Sequence, residues 1–485
     1  MGFTLKENPK QMKIKHQEIE IPSENPFKNC QLGRKKYAIV LTDIVKSYAD
    51  GFVMSINNEW GTGKTTFVKM WKQHLENNEF KTLYFNAWES DMESDVLVAL
   101  ISELKVLMDK KTSIAFKTVI ANATPFAKKV LPSLLKSIAS KYVGDDFVKD
   151  LINGTIEAGV DILTEEMELY SKRKKNLDNF RNSLSLFINE SSPDKPVVFM
   201  IDELDRCRPS YAVQVLEQIK HLFSVPGIVF VLSIDKTQLG HAIRGVYGSE
   251  LIDAEEYLKR FIDLEYSIPI SNIAVGQFCR YLYDYFQFDE FFKSETRMSI
   301  QPLAYEVSSF LTLAATFFEN SHFTLRQQEK IFANASVVLK SFKDTSYVLP
   351  DLFFFLIYTK IQNPELYTKI NAGDLSLNQL LDGYSDMVNV GKVINSDTID
   401  SFASLEALLL YSYSNSNSNL IKKLILIDEV SKEPSLAVSS RIDNSNNSEE
   451  LLKMINRYKN HMDLHRISIG PLLNRINLTE PFFIK

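Results

Sequence analysis

The first place in this chain where residue types and spacing could do chemistry is a loop built on Gly-Thr-Gly-Lys-Thr. Residues 51–66 read GFVMSINNEWGTGKTT. Gly51–Ile56 has the length and apolar content of a strand, Asn57–Gly63 reads as a tight turn, and a helical pattern (KTTFVKMWKQHL) starts at Lys64. Strand, glycine-containing loop and helix in that order make a phosphate cradle, because successive backbone N–H groups and the positive end of the helix converge on one anion. Gly61 and Gly63 let the backbone approach the phosphates with no Cβ in the way. Lys64 is placed to reach the β- and γ-phosphates, and the Thr65 hydroxyl to sit on Mg2+. The candidate nucleotide contacts are therefore Asn58, Glu59, Trp60, Gly61, Thr62, Gly63, Lys64, Thr65 and Thr66. Asn58 stands where such loops usually have glycine, and the expectation is that it takes the left-handed backbone conformation that asparagine tolerates.

The second chemical centre is Pro196–Arg208, PVVFMIDELDRCR. Val197–Ile201 is an unbroken apolar run, as a central parallel strand covered on both faces requires. Asp202 then stands at its C-terminal end, where an open α/β sheet binds ligands, and is placed to hold the Mg2+ water shell. Glu203 is placed to orient and deprotonate a water that attacks the γ-phosphate. The next strand, Pro226–Asp235, carries Ser233 and Asp235 to the same edge, where a polar group can sense the γ-phosphate.

These groups need elements to hold them. Helical pattern covers Tyr37–Tyr48, Asp95–Met108, Pro209–Phe223, Thr237–Tyr247 and Ala254–Arg260. Lys81–Trp88 and Phe261–Pro269 read as further strands, the former ending in Asn86. At least five strands alternating with helices mean βαβ units and a mostly parallel sheet, an α/β fold. Leu32, Gly33 and Arg34, just before the first helix, are base-side candidates or ordinary turn residues. Lys110–Ser191 reads as a mostly helical insertion. Its Lys128, Lys129, Lys136 and Lys141 lie among small and apolar residues, open to a membrane-surface reading or to packing on its own domain. Lys172–Lys175 reads as a solvated face. From Ser271 strand signals give way to helices: Ala274–Phe286, Ala304–Phe318, Leu325–Phe342 and Leu349–Lys360. Ser412–Asn419 and Asp443–Ser448 read as polar low-complexity loops, and the apolar tail Pro471–Lys485 as a docked segment. The expected organisation is 1–36 arm and linker, 37–109 first half of the core, 110–191 insertion, 192–270 second half, 271–345 lid-like helical domain and 346–485 helical C-terminal region.

A formal charge of −6 gives no global basic field for nucleic acid. Cys30, Cys207 and Cys279 have no metal-binding spacing and suggest a reducing compartment. The first residues carry no apolar leader core, and no apolar window is long enough to span a membrane, so a cytoplasmic location is expected.

Taken together, Glu59–Thr66 (EWGTGKTT), Phe85–Ser90 (FNAWES), Ile201–Phe223, Pro226–Gly248 and Glu255–Pro269 resemble the KAP family of P-loop NTPases from about Asn25 to Phe342. The resemblance implies a P-loop sheet of the additional-strand, catalytic-glutamate class, related to AAA+ and signalling NTPases, that takes ATP and Mg2+. It implies phosphate binding by Lys64 and Thr65, metal binding by Thr65 and Asp202, and water activation by Glu203. It implies that Asn86 restrains the glutamate, that Arg260 acts on a neighbouring subunit's γ-phosphate, and that Arg326 closes the helical region on ATP. It further implies a homo-oligomer or a complex with a partner effector, in bacterial defence against phage or mobile elements. Three readings stand: an ATP-hydrolysing switch or motor, a nucleotide-bound scaffold that does not hydrolyse, and a nucleic-acid-stimulated ATPase. A small-molecule kinase lacks any acceptor signature.

Overall fold

The strand that feeds the Gly-Lys-Thr loop lies inside a five-stranded parallel sheet of order β2-β3-β4-β1-β5. The strands are β1 (Val53–Asn57), β2 (Thr82–Asn86), β3 (Val197–Asp202), β4 (Ile228–Ile234) and β5 (Leu264–Tyr266). The structure, a computed structural model, describes residues 18–48, 50–92, 95–126, 165–269, 272–307, 309–319, 323–388, 396–427, 433–442, 448–460 and 467–479. Every residue of β3 and β4 is buried, which the continuous Val/Ile/Phe/Leu runs require of strands covered on both faces.

Side chains alternate across the sheet, and each face has its own cover. On one face α1 (Lys35–Ser47) and α2 (Lys64–Asn77) pack over Met54, Ile56, Val198, Met200, Val229 and Val231. Ile19 and Ile21 join this cluster, and Glu18 pairs with Lys69 at 3.0 Å. The other face buries Phe85, Phe199, Ile201, Phe230 and Leu232. Its cover includes α4 (Val96–Leu104), α5 (Ser113–Ala123), α6 (Glu165–Ser191), α7 (Pro209–His221), α8 (Lys236–Tyr247) and α9 (Ala254–Leu258), following the one-turn α3 (Ala87–Ser90). Trp88 therefore belongs to a helical turn, not to the end of a strand. The cause is Asn86, whose side-chain oxygen accepts from Trp88 N and Glu89 N and caps the turn. Of the insertion, Lys174 and Lys175 are exposed. Lys128, Lys129, Lys136 and Lys141 lie outside the described residues. Among the described residues no helix is long and apolar enough to cross a membrane.

The chain forms two compact units, 18–269 and 270–485. The second is helical, with Asn272–Tyr285, Ser309–Glu319, Leu325–Leu339 and Pro350–Gln362 around a phenylalanine-rich core. Phe353, Phe354 and Phe355 are fully buried. The polar run at Ser412 is not a loop. Helix Ser396–Asn415 takes in its first half, a turn at Ser416 and Asn417 follows, and Ser412 and Ser414 are buried. Their hydroxyls donate back to Leu409 O and Leu410 O, so a serine-rich sequence needs no water there. Asn417 then caps Ser418–Leu424. The apolar tail docks through helix Gly470–Ile476, which buries Leu472, Leu473 and Ile476. Residues 443–447 and 480–485 are outside the description.

Candidate functional site

The sheet register brings the two chemical centres together. Ser233 of β4 is paired with Ile56 of β1 on one side and with Asp202 of β3 on the other. The phosphate-loop strand and the acidic strand are thus separated by one strand, about 10 Å at the ordinary strand spacing. Alternation puts Asp202 and Ser233 on the α2 face, in phase with Met200 and Val231. Both are buried at 1 % exposure, and the Ser233 hydroxyl has no hydrogen-bond partner among the described residues.

The loop has the left-handed glycines its shape needs, Gly61 at φ 80° and Gly63 at φ 81°. Thr62 is buried and its hydroxyl donates to Glu59 O at 2.8 Å; Thr65 and Thr66 are half-buried on the first turn of α2. The Lys64 ammonium donates to Asn58 O and, at 3.1 Å, to Glu59 O, so it spans the mouth of its own loop. Burial lowers its pKa; Asp205, Asp235 and Asp202 oppose that, which places three carboxylates within electrostatic reach of one amine. Asn58 is not left-handed: the positive-φ non-glycine residues are Glu79, Glu203, Gln287, Leu349 and Leu478. What asparagine supplies instead is its amide. Nδ2 donates to Ile268 O at 3.1 Å and Oδ1 accepts from Ile268 N at 2.9 Å, fastening the loop to the chain just past β5.

Asp202 accepts from the Tyr84 hydroxyl at 2.9 Å and from Glu203 N at 3.0 Å. Burial and the Asp202 charge push the Tyr84 phenol up, so it remains a proton donor to that carboxylate. Glu203 follows in left-handed conformation at φ 60°. Its carboxylate is 2.8 Å from Arg206, and the Asn86 amide is among the groups that lower its pKa. Burial raises its pKa, Arg206 pulls it down, and Asp202 and Asp205 push it up; the net is upward. Arg206 in turn lies over the exposed Trp88 ring, 5.8 Å from its centroid. Asn86 Nδ2 donates to Glu89 Oε1 at 2.8 Å, so both ends of this amide serve the helical turn.

Two further groups escaped sequence reasoning, and a third has a different role from the one it offered. Asp205 accepts from the Trp60 indole and, at 3.0 Å, from Asp235 N, which joins the loop, the acidic turn and the end of β4. Burial raises its pKa. Its signal was present in DELDR, an acid three residues after Asp202. Tyr84 had a signal too, since it shares a strand face with Asn86. Arg34, by sequence a base-side candidate or an ordinary turn residue, donates from its guanidinium to Thr62 O at 2.7 Å and Gly63 O at 3.1 Å.

Arg260, after α9, is exposed, and its guanidinium is in no ion pair among the described residues. Arg326 is exposed on the first turn of helix Leu325–Leu339, in the other unit.

The donor set fits Mg2+. Asp202 and Thr65 offer hard oxygens, and no cluster of three or more His, Cys, Asp or Glu among the described residues makes a self-sufficient metal cage. Mg2+ held by one or two protein oxygens completes its shell with waters and phosphates.

A family model described as the KAP family P-loop domain matches residues 34–345. The phage T7 exclusion protein of Escherichia coli K12 is 21% identical over 238 residues, 45% of this chain and 30% of that protein. An uncharacterized Methanocaldococcus jannaschii protein, MJ0182, is 27% identical over 188 residues, 32% of this chain and 89% of that protein. Among solved structures, the Aeropyrum pernix ORC2 protein in its ADPNP-ADP complexes aligns over 88% of this chain and 94% of its own at 13% identity, with a TM-score of 0.29.

Proposed function

The chain belongs to the KAP family of P-loop NTPases, and from that premise we propose that it binds ATP with Mg2+ and hydrolyses it as a molecular switch. The single observation that carries this reading is Ser233, buried and unpartnered, standing between the end of the loop strand and Asp202 with Glu203 next along.

In the proposed reaction the loop N–H groups and Lys64 bind the β- and γ-phosphates. Thr65 and Asp202 would hold Mg2+, which would supply charge neutralisation. Glu203 takes a proton from a water as that water's oxygen bonds the γ-phosphorus; the bond to the β,γ-bridging oxygen breaks and ADP leaves with its electron pair. The burial that lifts the Glu203 pKa makes it a stronger base at neutral pH. Its ion pair with Arg206 works against that, so the geometry supports slow basal turnover that accelerates when Arg206 lets go. Arg260, exposed and in no ion pair among the described residues, is proposed to act on the γ-phosphate of a neighbouring copy, and Arg326 to respond to bound ATP from the helical unit. The likeness to the phage T7 exclusion protein supports a role in defence against phage.

The test is phosphate release from ATP with and without Mg2+, for wild type, E203Q and K64A. E203Q is expected to keep ATP affinity within a few-fold and lose turnover by about 100-fold or more, the scale of a general base. K64A is expected to lose ATP binding. Turnover in E203Q equal to wild type removes Glu203 from the role. ATP binding with no phosphate release under any condition supports the scaffold reading instead.

A further inference from the structure

We infer that Arg34 is a positioning residue for the nucleotide: from behind the loop it turns the Gly63 and Lys64 amide N–H groups toward the phosphates and sets a second buried positive charge beneath them. The inference rests on the reading of the loop as a triphosphate site.

Arg34 is 3 % exposed and forms the N-cap of α1. Its place relative to α2 is set by packing. Ala38, Leu41 and Val45 of α1 are buried in the same cluster as Phe67 and Trp71 of α2, and the Trp71 indole donates to Thr42 Oγ at 3.0 Å. From there Nη2 reaches Thr62 O at 2.7 Å and Nη1 reaches Gly63 O at 3.1 Å.

A trans peptide points its C=O and N–H in opposite directions. A carbonyl drawn back toward Arg34 therefore sends the next N–H forward. The Thr62 carbonyl controls the Gly63 N–H, and the Gly63 carbonyl controls the Lys64 N–H. Two successive N–H groups turned the same way are the core of an anion nest.

The electrostatics point to the same ligand. The ionisable neighbours that act on Arg34 are Cys30 and Tyr37, with no carboxylate among them. Nε is buried without a hydrogen-bond partner. Burial brings the guanidinium down to about 10, which leaves it charged at neutral pH. A buried cation with no counter-ion among the described residues costs stability in the folded chain alone. An anion bound on the other side of the loop offsets that cost, so the arrangement selects for charge on the ligand.

The experiment is calorimetric titration of the full chain with ATP, ADP and AMP in Mg2+ buffer, for wild type, R34M and R34K, with the melting temperature of each free of nucleotide. R34M is expected to bind ATP about tenfold or more weakly, the scale of a charge-assisted interaction, with AMP affinity changed by less than about twofold. Its nucleotide-free melting temperature is expected to equal or exceed that of wild type, since an uncompensated charge has been removed. R34K, which keeps the charge and loses the two-pronged reach, is expected to fall between. R34M with wild-type ATP affinity overturns the inference. So does a lower nucleotide-free melting temperature with an unchanged ratio of ATP to AMP affinity, which would mark Arg34 as a purely structural brace. Should R34M not fold, R34K decides: an unchanged ratio overturns the inference. A wild-type chain that binds none of the three nucleotides fails the underlying triphosphate reading, a result distinct from these.

Discussion

An asparagine amide carries donors on one side and an acceptor on the other, and Asn58 commits both to the backbone of Ile268. N58G would restore the glycine most such loops have, yet it is expected to destabilise the protein by about 1–3 kcal/mol, because Ile268 N–H and C=O lose their partners. Chemical denaturation of N58G against wild type checks this; equal midpoints would mean that water replaces the amide at no cost. Residue identity alone made Lys64, Thr65 and Asp202 legible, because a motif packs their meaning into a few consecutive positions. Arg34 lies 28 residues before Thr62, and Asp205 lies 145 after Trp60. Such pairs exist only once the chain is folded, and no local pattern announces them. The Asn58 expectation failed for a related reason: a conformational preference was available from residue type, whereas the partner that decides its role, Ile268, is 210 positions away.

Elements were readable where apolar periodicity and length agreed, as in β3, β4 and α2. They were misread where composition and burial disagree. SYSNSNSN has the look of a solvated loop, but Tyr413 is buried with its hydroxyl bonded to the Leu375 backbone, and the serines cap carbonyls of their own helix. Helix Pro350–Gln362 shows the converse cost of burial. Asp351 sits half-buried in its first turn, and desolvation pushes its pKa up to about 6. The folded state therefore holds a proton that the unfolded chain releases near pH 4. Stability from this group is full below about pH 4 and is lost as pH rises through about 6. D351N removes the ionisation. It is expected to melt about 3 °C higher than wild type at pH 7 and to match it near pH 4. A gap that is the same at both values would show that the carboxyl does not titrate in that range.

At the scale of the whole molecule, unit 18–269 holds Arg34, Lys64, Asp202, Glu203 and Ser233, the groups proposed above to act on the phosphates. Arg326 lies in the other unit, and Arg260, although in the first, is exposed and in no ion pair among the described residues. If both arginines act as proposed, the chemistry is completed through motion or assembly. If Arg260 acts between copies, particle mass should rise with ATP and stay at the monomer value with ADP. R260A should then lose turnover by about a thousandfold, the scale of an arginine supplied in trans, with ATP affinity little changed. A monomer in every nucleotide state would dismiss that role. The −6 formal charge and the enclosed acidic turn leave nucleic-acid stimulation without support from the described surface.

Trp60 and Trp88 are exposed, beside Asp205 and Arg206 respectively, whereas Trp71 is sealed in the core of α2. These are the only three indoles in the chain, so its ultraviolet emission divides into a blue part that dissolved iodide cannot reach and a red-shifted part that it quenches. Occupancy of the loop, and any withdrawal of Arg206 from Glu203, would alter the quenchable part alone. The unlabelled protein therefore carries its own optical gauge of the step that matters most.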